Sequence, residues 1–120
     1  MKKIILLCLL LVLVLALFSC DENANITIQN NVHNATLERV SWGKYSIAHS
    51  LMPGEKDNYR VYDRKSKFPK TSVVKFYMKR EGNQVYLETK YTFTLNVDDD
   101  LLIVISDTTQ VINPLSRVSE

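Results

Sequence analysis

The sequence predicts one all-β domain, an antiparallel β-sandwich of about seven strands, with a small open β-barrel as the runner-up. Three observations carry this. Between Gln84 and Val97 apolar and polar residues alternate with period two, as in a strand buried on one face. Turn-forming residues recur about every 8 to 12 positions. No stretch after residue 25 holds apolar residues at helical spacing. The chain has 120 residues, enough for one domain, and 46% of them are apolar, which excludes disorder and collagen-like or low-complexity composition.

The chain opens with Lys2 and Lys3, then fifteen apolar residues from Ile4 to Phe18, then Ser19-Cys20. This is the pattern of a secretory signal. As a helix the run spans roughly 22 Å, short of the ~30 Å hydrocarbon layer that a permanent membrane helix must cross. Residues 1–19 are therefore read as a signal peptide, 20–25 as a short tether and 26–120 as the domain.

The first strand is expected at Asn25 to Gln29, with Ile26 and Ile28 inward, followed by a polar loop from Asn30 to Thr36. Leu37 to Trp42 follows, with Val40 and Trp42 inward, then Tyr45 to Ser50 and Tyr59 to Tyr62. Met52-Pro53-Gly54-Glu55 predicts a type II turn, because Pro presets φ and Gly accepts φ > 0. Ser72 to Lys79 alternates with Val74, Phe76 and Met78 on one side. Gly82-Asn83 then predicts a type II′ hairpin turn. That register opposes Glu81 to Gln84, Met78 to Leu87, Phe76 to Thr89 and Val74 to Tyr91. Fourteen residues from Gln84 to Val97 extend roughly 46 Å, too long for one strand, so a bulge or bend is expected near Thr89 and Lys90. Asp98-Asp99-Asp100 marks a corner, and Leu101 to Ile105, apolar on both faces, reads as a central strand.

The end of the leader, Leu17-Phe18-Ser19-Cys20, resembles the lipobox of bacterial lipoproteins. The resemblance implies cleavage before Cys20 and lipidation of its sulfur with palmitate-type chains. Two or three such chains hold a protein at a membrane almost permanently, where one gives only marginal binding. Cys8 would leave with the signal, so the mature chain would have no free thiol, disulfide or cysteine-based metal site or nucleophile. The segments Asn25-Ile26-Thr27-Ile28-Gln29-Asn30-Asn31, Val40-Ser41-Trp42-Gly43 and Leu51-Met52-Pro53-Gly54-Glu55 resemble those of small Ig-like lipoproteins of Bacteroidetes-type bacteria. This implies an Ig-like version of the sandwich and no particular activity. Asp21 and Glu22 resemble the surface-export signal of such bacteria, whereas Asp after the lipidated Cys resembles an inner-membrane retention signal in enteric-type systems. Both stay open, with the outer membrane or cell surface as the working expectation.

Without Lys2 and Lys3 the chain has 13 basic and 13 acidic residues and is formally neutral. The charge is uneven, since eight basic residues between Arg60 and Arg80 face the single acid Asp63, a local net of +7. A neutral, exported chain is not expected to bind nucleic acid. His33 and His49 lie in no nucleophile or metal motif, and three glycines leave no phosphate-binding loop, so neither an enzyme nor a cofactor site is expected. Asp98-Asp99-Asp100 is read as a solvated turn and not a cation site, because consecutive strand residues face opposite ways.

The candidate binding face is the outer side of the hairpin. The expected register sets Lys79 against Tyr86 and Tyr77 against Glu88, with Lys75 and Lys90 beside them. Tyrosines interleaved with lysines suit an anionic glycan, a lipid headgroup or an acidic envelope protein. The alternative function is an accessory subunit of an envelope complex, docking through strand edges or the apolar tail Val111-Ile112-Asn113-Pro114-Leu115.

Overall fold

The structure, a computed structural model, describes residues 3–8, 22–63 and 67–115. Residues 3–8 are helical and exposed, and no described helix is long and apolar enough to cross a membrane. Cys20, the expected lipidation position, lies outside the described residues, as do Asp21, Arg64 and Lys65.

Beyond residues 3–8 the described chain is built mostly of β-strands. Its strands are β1 (Glu22–Asn31), β2 (Thr36–Trp42), β3 (Tyr45–Leu51), β4 (Lys56–Asp63), β5 (Lys70–Ser72), β6 (Val74–Arg80), β7 (Asn83–Thr89), β8 (Phe93–Leu95), β9 (Asp100–Ser106) and β10 (Val111–Ile112). A three-stranded sheet of order β4-β1-β9 faces a five-stranded sheet of order β10-β7-β6-β2-β3, and β5 and β8 form a separate ribbon. The sheets do not close into a barrel. β1 begins at Glu22, so residues 22–25, read from the sequence as tether, are strand.

The core follows from the alternation. β1 buries Ala24, Ile26, Ile28 and Asn30, and β9 buries Ile103 and Ile105; from the other sheet come Leu37, Val40, Trp42, Leu51, Val74 and Phe76. Two polar residues, Asn30 and Thr89, are buried with them, and Asn30 is fully buried and hydrogen-bonded. Its Nδ2 donates to the carbonyls of Ala35 and Leu51, each at 2.8 Å, and its Oδ1 accepts from the Val32 N–H at 2.9 Å. One side chain thus ties the end of β1 to the entry of β2 and the end of β3. The expected type II turn is present, with Gly54 at φ 87° and the Glu55 N–H donating to the Met52 carbonyl at 2.9 Å.

Several expectations are corrected. The sandwich is not antiparallel throughout, because β1 pairs antiparallel with β4 and parallel with β9. Parallel neighbours need a long connection, and here that connection is nearly the whole of the other sheet. β9, read as central, is an edge strand. The hairpin turn is Glu81-Gly82 and not Gly82-Asn83. Both residues have positive φ, 52° and 81°, the requirement of a type I′ turn. Phe76 therefore opposes Leu87 and Met78 opposes Val85. The pairing differs from the expected one by two residues, which preserves the buried face and changes every cross-strand partner.

The break expected near Thr89 falls there. β7 ends at Thr89, Lys90 and Tyr91 bend, and β8 joins β5 instead of continuing the sheet. Tyr91, expected inward, is exposed at the bend.

Candidate functional site

The outer face of β2, β6 and β7 is built by alternation along three strands and one bulge. On β6 the residues between the buried Val74, Phe76 and Met78 side are Lys75, Tyr77 and Lys79; on β7 they are Gln84, Tyr86 and Glu88. Lys75 opposes Glu88, Tyr77 opposes Tyr86 and Lys79 opposes Gln84. The expected opposition of Lys79 to Tyr86 and of Tyr77 to Glu88 does not occur, because the turn lies one residue earlier.

β2 supplies the third row, where Glu38 opposes Tyr77 and Ser41 opposes Lys75. Between them the register shifts, and Arg39 takes the left-handed region at φ 51°. The extra residue lets Leu37, Val40 and Trp42 all remain inward and places the Arg39 guanidinium over the Tyr77 ring, 5.6 Å from its centre. Sequence reasoning missed Arg39. The signal was present in the three-residue spacing between apolar Leu37 and Val40, which an unbroken strand cannot bury on one face.

At the middle of this face Tyr77 and Tyr86 form a tilted ring pair, 5.2 Å between centres and 56° between planes. The Tyr86 hydroxyl donates to Glu88 Oε1 at 3.0 Å. Partial burial, then the Glu88 carboxylate, raises the Tyr86 pKa above its ordinary value, so the phenol is protonated and a hydrogen-bond donor at neutral pH. Gln84 Nε2 donates to Glu38 Oε2 at 3.4 Å. The structure thus brings Lys75, Tyr77, Lys79 and Tyr86 together and adds Arg39. Lys90 is not part of the ladder; it follows the last residue of β7, with its ammonium 5.6 Å from the Tyr91 ring centre.

The +7 segment does not form one patch. Arg60 lies in β4 of the other sheet, donating to Asn23 Oδ1 at 3.0 Å, and Lys70 in β5 is ion-paired with Asp63 at 2.8 Å. Asp98-Asp99-Asp100 does not converge. Asp98 has φ 63°, Asp99 accepts from the Asn96 N–H at 2.8 Å, and Asp100 accepts from Asn25 Nδ2 at 2.9 Å. Among the described residues no group of His, Cys, Asp and Glu side chains is placed to hold a metal ion.

An open cleft of about 560 Å³ lies at one end of the sandwich over Val32, Met78, Ile105 and Val111. Its charged rim is engaged in holding loops. Arg80 Nη2 donates to the His33 carbonyl at 2.6 Å, Asp107 Oδ1 accepts from the His33 N–H at 3.0 Å, and the His33 ring contacts Asn34. His49 sits apart, exposed on β3.

Fold and face together describe an all-β sandwich carrying a mixed basic and aromatic sheet surface. Comparisons with protein-family models, with curated proteins and with solved structures return no match.

Proposed function

We propose that this chain is a non-catalytic binding module, lipid-anchored through Cys20 to the outer membrane or surface of a bacterial cell envelope, that holds an acidic glycan on the outer face of β2, β6 and β7. The observation that supports this reading most is the Tyr77–Tyr86 ring pair with the cations of Arg39, Lys75 and Lys79 around it. Aromatic rings offer flat apolar surface to sugar rings, and cations at such exposed positions each add about 0.5 to 1 kcal/mol through charge and cation–π contact. Glu38 and Glu88 accept hydrogen bonds from Gln84 and Tyr86, which fixes their position between the cations and limits the face to ligands whose negative charges are spaced to avoid them. The leader and its terminal Ser19-Cys20 support the anchor.

The binding test is titration of the full-length protein in detergent micelles with sulfated and uronic-acid oligosaccharides at low salt. Binding is expected to fall at least about tenfold in Lys75→Glu with Lys79→Glu, and to weaken as salt is raised. Binding unchanged by that double variant, or found only with anionic lipid vesicles or an acidic protein, overturns the glycan assignment. The anchor test is mass spectrometry of protein from membranes, with a diacylated Cys20 N-terminus expected and an intact Met1 overturning it. Protease accessibility on intact cells checks the surface location.

A further inference from the structure

The sequence of β9, Asp-Leu-Leu-Ile-Val-Ile-Ser, is apolar on both faces, and among the described residues β9 has β1 alone beside it, at the edge of its sheet. Backbone geometry fixes which of its groups face outward. The Asn25 N–H donates to the Asp99 carbonyl at 2.7 Å, and Asn25 lies opposite Asp100. Because backbone groups alternate along a strand, those of Leu101, Ile103 and Ile105 point to β1, and those of Asp100, Leu102, Val104 and Ser106 point away. Ser106 is engaged, its N–H donating to Thr109 Oγ1 at 2.9 Å and its carbonyl accepting from the Thr109 N–H at 3.1 Å. The outward backbone groups therefore centre on Leu102 and Val104, whose side chains are 53% and 39% exposed.

The edge strands β4, β3 and β10 carry devices that keep strands from pairing. β4 bears Lys56, Asp57, Arg60 and Asp63. β3 is interrupted by a register shift opposite Val40 and Ser41. β10 is two residues long and is followed by Asn113-Pro114, while the stretch of β7 beyond it carries Asn83 and Gln84. β9 has no lysine, proline or register shift.

We propose that β9 pairs antiparallel with β9 of a second copy of this chain, about a two-fold axis normal to the sheet at Ile103. This register sets Leu102 against Val104 of the partner subunit, Leu101 against Ile105 of the partner subunit and Asp100 against Ser106 of the partner subunit. The outward groups of Leu102 and Val104 meet as hydrogen-bonded pairs, giving about four backbone bonds, and no charge meets its like. Sliding by two residues sets the Asp100 carboxylate against Val104 or spends the pairing on the engaged Ser106, so the edge is complementary to itself in one alignment. The product is a continuous six-stranded sheet with β4 at both ends.

The test is the molar mass of the full-length protein in detergent micelles over a concentration series. A dimer is expected for the wild type. Val104→Lys, on an exposed position, is expected to raise the dissociation constant at least about 100-fold with an unchanged circular dichroism spectrum. A cysteine pair checks the alignment in full-length chain carrying Cys8→Ser and Cys20→Ser. Leu102→Cys with Val104→Cys is expected to give a covalent dimer on mild oxidation, and either substitution alone is not, since like positions lie beyond the ~7 Å reach of a disulfide. Monomer at every concentration, a dimer that Val104→Lys leaves intact, or cross-linking by a single substitution overturns the proposal.

Discussion

The hydroxyl of Thr89 accepts a hydrogen bond from the Val74 N–H at 3.0 Å, and it donates one to the Tyr91 carbonyl at 2.9 Å. Thr89 is the polar residue on the otherwise apolar face of the long alternating segment, and it is buried. Its side chain supplies partners to backbone groups left over where β6 begins and where the chain bends out of the sheet after β7. A valine of the same shape cannot do this. Thr89→Val is expected to destabilise the domain by about 1 to 3 kcal/mol, the cost of burying unpaired backbone groups, while Thr89→Ser retains most of the stability. Denaturant unfolding followed by Trp42 fluorescence measures both.

Asn30 makes three hydrogen bonds with one buried amide. Asn30→Leu keeps a similar volume and leaves the carbonyls of Ala35 and Leu51 and the amide of Val32 without that partner. A loss of about 3 kcal/mol or more is expected, with faster hydrogen exchange at Val32. An unfolding midpoint equal to wild type contradicts this role.

The Lys70–Asp63 ion pair predicts a pH signature. The hydrogen bond that the Lys70 ammonium donates to Asp63, the largest contribution, raises the Lys70 pKa above 10.5, and burial opposes it more weakly. A cation whose folded pKa is raised contributes stability that is fully present below the unfolded value of 10.5 and is lost as pH rises through the folded one. Asp63→Asn is therefore expected to cost up to about 1 kcal/mol between pH 7 and 9, with the gap from wild type narrowing in strongly alkaline buffer. A gap that widens there reverses the assignment.

Glu81 occupies the first central position of the type I′ turn at φ 52°, where asparagine is favoured and glutamate carries a steric cost. Glu81→Asn is expected to stabilise by about 0.5 to 1 kcal/mol. This substitution also checks the register, because a turn at Gly82-Asn83 would put residue 81 in a paired strand position and gain nothing.

The alternation that made the fold legible shows why parts of the site were not. Val74, Phe76 and Met78 were assignable to the buried side because any even shift of the hairpin leaves them there, and for that reason the alternation could not say whether Tyr86 opposes Tyr77 or Lys79. Gly82 announced a turn without saying which neighbour shares it. Leu101 to Ile105 is apolar on both faces in fact, but that pattern reports a need for burial and not the neighbour that provides it. The Arg60 to Arg80 cations are close in sequence only, since the chain crosses from β4 in one sheet to β6 in the other between them. The cleft over Val32 and Ile105 draws on separate segments with no local signature, and Arg39 was hidden by a bulge that only the spacing of Leu37 and Val40 betrayed.

The pairing of Ile26 with Leu101 and of Ile28 with Ile103 joins the beginning of the domain to its last long strand. A chain delivered N-terminus first, from a ribosome or through a translocation channel, presents β1 long before β9 has emerged, and closing so large a loop is slow. The three-stranded layer cannot be completed by a partly threaded polypeptide. Its completion waits until β9 has followed β2 to β8.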